Sequence, residues 1–463
     1  MSSARNRLTL PDRRLARPTR RQLLQLSGLG AAGGMLAACG PSLGGDDGAE
    51  EPAEEIDWAS IEPASEITWW SNHPGETKDL ETSYIEAFNE EYPEITINLV
   101  TAGAGYDEIA QRFQAASGTD EIPDLVIASD VWWFRYFING QIIAIDDVFA
   151  HLEVDTSDFV ETLFSDYEYE GKHYAAPYAR STPLFYYNRD IWSAAGLPDR
   201  GPETWEELQE WAPALREHVP ADGQPLALSI GPSWSGWWFS NIIWGQGGAM
   251  SEEWTVTLDS EEAIAAGEFV VDMYNGENAF AGFGSDTNAD FQTEIFACLV
   301  GSTGSLTGHL EAADFEVGTA FLPNGPADVP NVPTGGTGLA IPSSRTPEQQ
   351  LAAAMFLKFL TETENTAIFS QETGYMPVRT SAIESDTMAE VYEETPQFRT
   401  SVDQLQEKTR VQDWVRVFTP GGDQIITDGI EELVLGGGTP EDVFPNVTTQ
   451  LDRAFEDNVE PYL

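Results

Sequence analysis

The sequence is poor in basic residues. Only 23 of its 463 residues are lysine or arginine, against 77 aspartates and glutamates, and the formal net charge is −54 at pH 7. A surface of this sign repels the phosphate backbone, which argues against a nucleic-acid partner. Because such self-repulsion destabilises a compact protein unless salt screens it, the balance favours a source adapted to high salt.

Cysteine and histidine are also scarce. The two cysteines, Cys39 and Cys298, cannot build a disulfide framework. Cys298 lies in an apolar run with no base nearby in sequence, so we predict a buried structural thiol. The five histidines show no metal-ligand spacing, and no Gly-x-Ser-x-Gly elbow occurs. We predict no cofactor, no metal and no catalysis, with a secreted carbohydrate-active enzyme that uses two carboxylates as the remote alternative.

An apolar run long enough to cross a bilayer is missing as well. The amino end instead has Arg20 and Arg21 before a short, glycine-rich apolar run that closes in Leu-Ala-Ala-Cys at Cys39. This order is typical of an export signal, and the arginine pair resembles the twin-arginine signal. The last four residues match the cleavage box of prokaryotic lipoproteins. We therefore predict an export signal over residues 1–39, lipidation of Cys39 and an anchor at the extracellular face of the cell membrane.

Residues 40–65 are rich in Gly, Asp, Glu, Pro and Ala, a composition that cannot bury a core. We interpret them as a flexible acidic tether. Cleavage before Cys39 would remove seven arginines and one aspartate and leave 16 basic against 76 acidic residues, a net charge of −60. The anchored protein would be even more acidic than its precursor.

From residue 66 onward, segments with strand and helix periodicity alternate, which predicts βαβ units and a largely parallel sheet. Residues 184–187 form a short aromatic strand bounded by prolines, a third of the way along the chain. That position suggests a crossing between two lobes. The glycine-rich segments 334–342 and 374–378 are candidates for two more crossings. Thr204 and Glu207 have the spacing of a helix capping box.

Several segments together resemble the extracellular solute-binding proteins of ABC importers, of the sugar-binding class (family 1). Within that class the sequence is most similar to the glycerol-3-phosphate-binding branch, and the resemblance covers residues 66–463. The segments that carry it are Trp69-Trp70, 123–125, 181–190, Thr204-Trp205, 335–341, 373–377 and 439–441.

The resemblance implies an α/β, two-lobed periplasmic-binding-protein fold (type II-like), each lobe a mostly parallel sheet flanked by helices. Three hinge crossings would join a first lobe of residues 66–180 plus 337–376 to a second lobe of residues 184–333 plus 380–463. It also implies a monomer that captures a carbohydrate by hinge closure and delivers it to the permease and ATPase subunits of the importer.

In the glycerol-phosphate branch, ligand contacts fall on positions that match one set of residues in this sequence. They are Tyr106, Asp130, Ser181, Ser305, Gly336 and Tyr375. Trp234 and Trp237 match aromatic positions of the branch, and a flat ring suits the C–H face of a sugar. Trp70 and Asn72 are further candidates for the cleft wall, whereas about half of the fourteen tryptophans are expected in the core.

Asp423 takes the place where the branch has an arginine for the phosphate. A carboxylate there would repel a phosphate, with Arg410 and Arg416 as candidate replacements. The sequence therefore favours a neutral oligosaccharide or polyol as the ligand. The alternative is sn-glycerol 3-phosphate or a glycerophosphodiester.

Overall fold

The structure, a computed structural model, describes residues 56–72, 76–221, 223–327 and 329–463. The predicted export signal, Cys39 and residues 40–55 of the predicted tether lie outside the described residues. In the part of the chain that the structure describes, no helix combines the length and the apolar character that a bilayer crossing requires.

The strands alternate with helices along the chain, as the periodicity predicts. The strands are β1 (Glu66–Ser71), β2 (Thr96–Thr101), β3 (Leu125–Ser129), β4 (Glu168–Tyr169), β5 (Lys172–His173), β6 (Ala176–Ser181), β7 (Pro183–Asn188), β8 (Gln224–Leu228), β9 (Ser251–Glu252), β10 (Thr255–Val256), β11 (Ala281–Gly282), β12 (Phe296–Ser302), β13 (Val317–Ala320), β14 (Val332–Pro333), β15 (Gly335–Ala340) and β16 (Thr409–Arg410). The helices are α1 (Glu76–Glu91), α2 (Tyr106–Ala116), α3 (Trp133–Ile138), α4 (Asp146–His151), α5 (Glu161–Ser165), α6 (Arg189–Ala194), α7 (Trp205–Arg216), α8 (Ser235–Gly245), α9 (Glu261–Asn275), α10 (Thr287–Gln292), α11 (Leu306–Ala312), α12 (Pro347–Leu360), α13 (Thr363–Thr373), α14 (Thr380–Ile383), α15 (Asp386–Glu394), α16 (Gln397–Lys408), α17 (Trp414–Val417), α18 (Gly422–Glu431) and α19 (Pro440–Asn458).

Two five-stranded sheets organise these elements. The first has the order β2-β1-β3-β15-β6 and the second the order β11-β8-β12-β7-β13. In each sheet four strands run in one direction and one is reversed, β15 in the first and β7 in the second. The prediction of two lobes, each with a mostly parallel sheet flanked by helices, is confirmed.

Apolar cores lie on the faces of the sheets. In the first sheet, Ile67 and Trp69 of β1 pack with side chains of the surrounding helices. In the second sheet, successive side chains of β7 point to opposite faces. Phe185 contributes to one core and Leu184 to another, so helices cover both faces, as they do in sheets of this type.

Two stretches of chain run between the two sheets, from β6 to β7 and from β13 to β15. A third, near Met376, leads to helices α14 and α15, whose Ala382 and Met388 pack in a core with β7 of the second sheet. The Thr182 hydroxyl, between β6 and β7, donates to the Pro333 carbonyl at 3.0 Å, and the Met376 N–H donates to the Arg180 carbonyl at 2.9 Å. These bonds hold the stretches side by side. The lobe boundaries themselves, residues 66–180 with 337–376 and 184–333 with 380–463, stay a prediction.

A buried ion pair lies beneath these stretches. Arg180, fully buried at the end of β6, pairs with Asp166 and also donates to the Tyr167 hydroxyl at 2.8 Å. The Thr334 hydroxyl donates to Asp166 at 2.6 Å. Burial raises the pKa of the Asp166 carboxyl, and the nearby Arg180 charge opposes the shift. Charge and hydrogen bonds thus fix two of the three stretches to the segment between α5 and β4, whose Tyr167 packs in the core of the first sheet.

Two local predictions have definite outcomes. Cys298 is buried, as predicted, and its thiol donates to the Pro225 carbonyl at 3.3 Å. The capping box at α7 forms only in part: the Thr204 hydroxyl accepts from the Glu207 N–H at 3.1 Å, but the Glu207 carboxylate accepts from the N–H of Glu203. Arg200 binds the same carboxylate at 2.7 Å and draws it away from the capping position.

Candidate functional site

A cleft of about 500 Å³ opens between the two sheets. Asn72 and Asp130 directly follow β1 and β3, and Ser302 ends β12, so the cleft lies at the carboxyl ends of strands, where open α/β sheets bind their ligands. The residues that line it are Asn72, Ala104, Gly105, Tyr106, Asp107, Glu108, Asp130, Ser181, Pro232, Ser233, Trp234, Trp237, Ser302, Gly304, Ser305, Gly335, Gly336, Tyr375 and Arg416.

The structure gathers most of the predicted ligand residues in this wall, with Asp423 as the exception. Those in the wall are Tyr106, Asp130, Ser181, Trp234, Trp237, Ser305, Gly336 and Tyr375. Asn72 lines the cleft too, whereas Trp70 is buried beneath the Arg112 guanidinium, 4.3 Å from its ring centre. The ligand contacts of these residues remain a prediction.

Glycines allow the backbone and aromatic rings of the wall to pack closely. Gly336 has φ +92°, and a Cβ there would lie 2.2 Å from the Ala179 carbonyl oxygen. A Cβ on Gly304 would lie 2.7 Å from the Tyr375 ring, and one on Gly335 would lie 2.7 Å from the Trp237 ring. Larger residues at these positions would displace the aromatic side chains or the backbone.

Two tyrosine hydroxyls meet in the cleft. Tyr106 begins α2, Tyr375 follows α13, and a side-chain hydrogen bond joins them. Burial above all, and then the neighbouring Tyr375 hydroxyl, raises the pKa of Tyr106 well above its ordinary value. Both hydroxyls therefore stay protonated and can donate to or accept from a ligand. Elsewhere in the wall, the Asn288 amide donates to the Ser305 hydroxyl at 3.3 Å.

The two predicted tryptophans have different environments. Trp234 is half-buried, whereas Trp237 is 5% exposed and its indole N–H donates to the Thr334 carbonyl at 2.9 Å. Their rings meet edge to face, 5.8 Å between centroids. Trp234 is therefore the tryptophan with a face to offer a ligand, and Trp237 ties the wall to the connecting stretch at Thr334.

One buried arginine carries the positive charge of the wall. Arg416 approaches Asp130 at 3.6 Å through Nη1 and Asp423 at 2.8 Å through Nε. Gln412 donates to Asp130 at 2.9 Å and accepts from Arg416. One guanidinium thus faces two carboxylates, which leaves this cluster with a formal charge of −1.

Asp423 does not line the cleft, contrary to its predicted place among the ligand residues. Its carboxylate lies behind Arg416 and also accepts from the Ser233 N–H at 2.8 Å. Burial raises the pKa of the Asp423 carboxyl, and the Arg416 charge opposes the shift. Arg416 takes the cleft-facing position instead. Arg410, the other candidate, lies over the Trp244 ring at 4.6 Å and lines a separate cavity.

Two acids in the wall carry no recognisable sequence signal. Asp107 accepts from the Trp132 indole N–H at 2.6 Å, and Glu108 accepts from the Ala104 N–H at 2.9 Å. Acidic residues in the first turn of a helix are common because they suit the helix dipole. Their place in α2 therefore looks ordinary, and the sequence alone does not mark them as part of a site.

Two α/β lobes with a polar cleft between the carboxyl ends of their strands define a class of receptor that closes on a small ligand. A family model for bacterial extracellular solute-binding proteins matches residues 83–400. The chain belongs to this family of substrate-binding proteins of ABC importers, whose members are binding proteins that act in the periplasm or outside the cell.

Individual relatives agree with the family. The sn-glycerol-3-phosphate-binding periplasmic protein UgpB of Escherichia coli K12 is 27% identical over 412 residues, which is 82% of this chain and 91% of that protein. The crystal structure of UgpB from Mycobacterium tuberculosis in complex with glycerophosphocholine is 42% identical and matches with a TM-score of 0.81, covering 85% of this chain and 99% of that one. Maltose-bound MalE3 of T. maritima, 22% identical over 84% of this chain and all of its own, shares the fold with a TM-score of 0.72.

Proposed function

We propose that this protein captures a small ligand that carries hydroxyls and is zwitterionic or neutral overall, and that a glycerophosphodiester with a cationic head group fits its cleft best. The observation that carries the proposal is the Arg416 cluster: a guanidinium reaches the cleft, but two carboxylates, Asp130 and Asp423, compensate its charge.

Each part of such a ligand has a counterpart in the wall. A guanidinium donates to phosphate oxygens in a planar fork. The Asp130 carboxylate can accept hydrogen bonds from glycerol hydroxyls. A quaternary ammonium favours carboxylates and aromatic faces, which Asp107, Glu108 and Trp234 supply. The mycobacterial relative solved with glycerophosphocholine supports this assignment.

A phosphate monoester fits less well, although the E. coli relative is named for sn-glycerol 3-phosphate. A monoester carries about −1.5 to −2 charges at pH 7. The cleft wall presents three carboxylates, Asp107, Glu108 and Asp130, and one guanidinium. Like charges brought together in a cleft cost several kcal/mol, so the wall disfavours a dianion and tolerates a zwitterion.

A neutral oligosaccharide or polyol is the second candidate. The half-buried Trp234 can stack on a sugar ring, and the hydroxyls of Tyr106 and Tyr375 can bond to its own. This ligand would leave Arg416 to bind hydroxyls only. It therefore uses the charge of the wall less completely than a phosphodiester does.

Thermal shift and calorimetry at high salt test the ligand class. The panel is glycerophosphocholine, sn-glycerol 3-phosphate, maltose and trehalose. A ligand present at 100 times its Kd stabilises the folded state by about 2.7 kcal/mol, so we expect a clear rise in Tm with glycerophosphocholine and a smaller one with the monoester. Stabilisation by the sugars alone would replace the proposal with the second candidate, and a stronger effect of the monoester would refute it.

We propose further that the receptor is a monomer held at the extracellular face of the membrane by a lipid on Cys39, after twin-arginine export, in a salt-adapted source. Closure around the ligand would present it to the permease, and the importer would release it unchanged by favouring the open form. Cys39→Ala tests the anchor: the variant should leave the membrane fraction. Its retention there would contradict the anchor, and conversion of any bound ligand to product would contradict a pure binding role.

A further inference from the structure

The residue that sets the charge of the cleft lies outside it. We infer that Asp423 is a specificity-determining residue: it places a second carboxylate behind Arg416 and gives the cluster a surplus negative charge, so that the receptor rejects dianionic ligands and accepts zwitterionic ones. The inference rests on the proposed function and adds to it the residue responsible for the choice of ligand charge.

The contacts of Asp423 are those of a residue built to hold the arginine. One carboxylate oxygen accepts from Arg416 Nε and the other accepts from the Ser233 N–H, each at 2.8 Å. Asp423 is only 7% exposed. The chain leaves room for this pair with Gly236, where a Cβ would lie 2.9 Å from the Asp423 carboxylate and 3.0 Å from Arg416 Nε.

The hydrogen bond from the Ser233 N–H to Asp423 also fixes the loop before α8. Ser233 has φ +64°, an uncommon conformation for a residue with a side chain. Its N–H bond to Asp423 compensates part of that strain. Pro232, Ser233 and Trp234 all line the cleft. Asp423 therefore fixes the charged wall and the aromatic wall with one side chain.

Arg416 already has Asp130 as an ion-pair partner, so the effect of Asp423 is to change the net charge of the cluster. With Asp130 alone the cluster would be neutral, and Asp423 takes it to −1. Charges in a buried site interact more strongly than in water because screening by solvent is weak. A phosphodiester contributes one negative charge to this cluster and a dianionic monoester nearly two, so the surplus carboxylate penalises the monoester more.

Asp423→Asn tests the inference, because it removes the charge and keeps the volume. Calorimetry would measure Kd for glycerophosphocholine, sn-glycerol 3-phosphate and inorganic phosphate. We expect the affinities for the last two to rise by about tenfold or more relative to glycerophosphocholine, the order expected when a buried like charge is removed. Asp403→Asn is the matched control: it removes the same charge from an exposed ion pair with Arg399 and should leave the ratios unchanged.

The outcomes separate this inference from the proposed function. Unchanged ratios in Asp423→Asn, or an equal loss for every probe, would overturn the inference. If Asp423→Asn does not fold, Gly236→Ala serves instead. Its Cβ would lie 2.9 Å from the Asp423 carboxylate and 3.0 Å from Arg416 Nε, so a side chain of the pair must shift. We expect that shift to weaken the pair and to change the ratios in the same direction, and unchanged ratios would overturn the inference as well. If the wild type binds neither glycerol compound, the proposed function fails, and the phosphate titration of wild type and variant still decides the role of Asp423.

Discussion

Two arginines are almost completely buried at the junction of the lobes, and they have different surroundings. Arg180 pairs with one carboxylate, Asp166, beneath the connecting stretches and does not line the cleft. Arg416 lies against two carboxylates and faces the cleft. The first arrangement is internally balanced, whereas the second carries a surplus negative charge next to the space for a ligand. Charge balance thus distinguishes the pair that serves the fold from the cluster that faces the cleft.

Removal of Arg180 should produce the largest effect. Arg180→Met leaves Asp166 buried without its counter-charge, and the free energy of unfolding should fall by about 3–5 kcal/mol. Denaturant titration measures this, with Arg180→Met/Asp166→Asn as the paired variant. The double variant should recover part of the loss because no buried charge is left unpaired. Equal losses in the single and double variants would contradict a balanced ion pair.

Removal of Arg416 should act on the ligand first. Arg416→Met takes the cation out of the cleft, and we expect the affinity for glycerophosphocholine to fall about 30-fold or more, the usual effect of truncating a buried charge partner. Arg410→Met, six residues earlier and outside the cleft, is the control and should bind as the wild type does. Similar losses in both variants would show that the cleft-facing position of Arg416 has no special role.

His309 is a third buried base, and unlike the two arginines it packs between aromatic rings, those of Tyr186 and Phe291. Burial lowers the pKa of His309 to about 4, against the weaker effect of Asp286. Because the unfolded chain binds this proton at a higher pH, stability should fall between pH 6.5 and pH 4, by up to about 3 kcal/mol. Unfolding titrations across this range measure the slope. His309→Gln should flatten it, and an unchanged slope would assign the proton elsewhere.

The two tryptophans should also differ, Trp234 acting on ligand binding and Trp237 on stability, with smaller effects than the arginines. Trp234→Ala should weaken ligand binding by about tenfold, from the loss of one stacking face, with little change in Tm. Trp237→Phe leaves the Thr334 carbonyl without its donor and should lower the unfolding free energy by about 1–2 kcal/mol. Fluorescence titration and thermal denaturation of both variants measure these effects. Unfolding of Trp234→Ala would make that residue part of the core.

The fold could be predicted from the sequence because its signals are local: hydrophobic periodicity within helices and strands, and glycines and prolines at their ends. The alternation of strands and helices, the aromatic strand of β7 and the glycines at 335 and 336 all carry their signal in adjacent residues. The resemblance to solute-binding proteins then supplied the lobes and the positions of the wall, Tyr106 and Tyr375 among them.

The charged part of the site was not predictable in the same way. Seven positions separate Arg416 from Asp423, and the turn between α17 and α18 decides which of them faces the cleft. Sequence comparison alone placed Asp423 in the wall. Asp107 and Glu108 were missed because acids at a helix start are expected whether or not they meet a ligand. Side-chain direction across a turn depends on packing that no short segment encodes.

The position of β15 bears on how the chain reaches its native state. This strand lies between β3 and β6 in the first sheet, yet the chain forms β7, β8, β11, β12 and β13 of the second sheet before it. A chain growing from its amino end therefore holds β3 and β6 with unpaired edges until residues 335–340 have been made, and such edges invite aggregation. Contacts so distant in sequence also slow folding. The first sheet can be completed only after every strand of the second has been made, and we expect acquisition of the native structure to be late and slow.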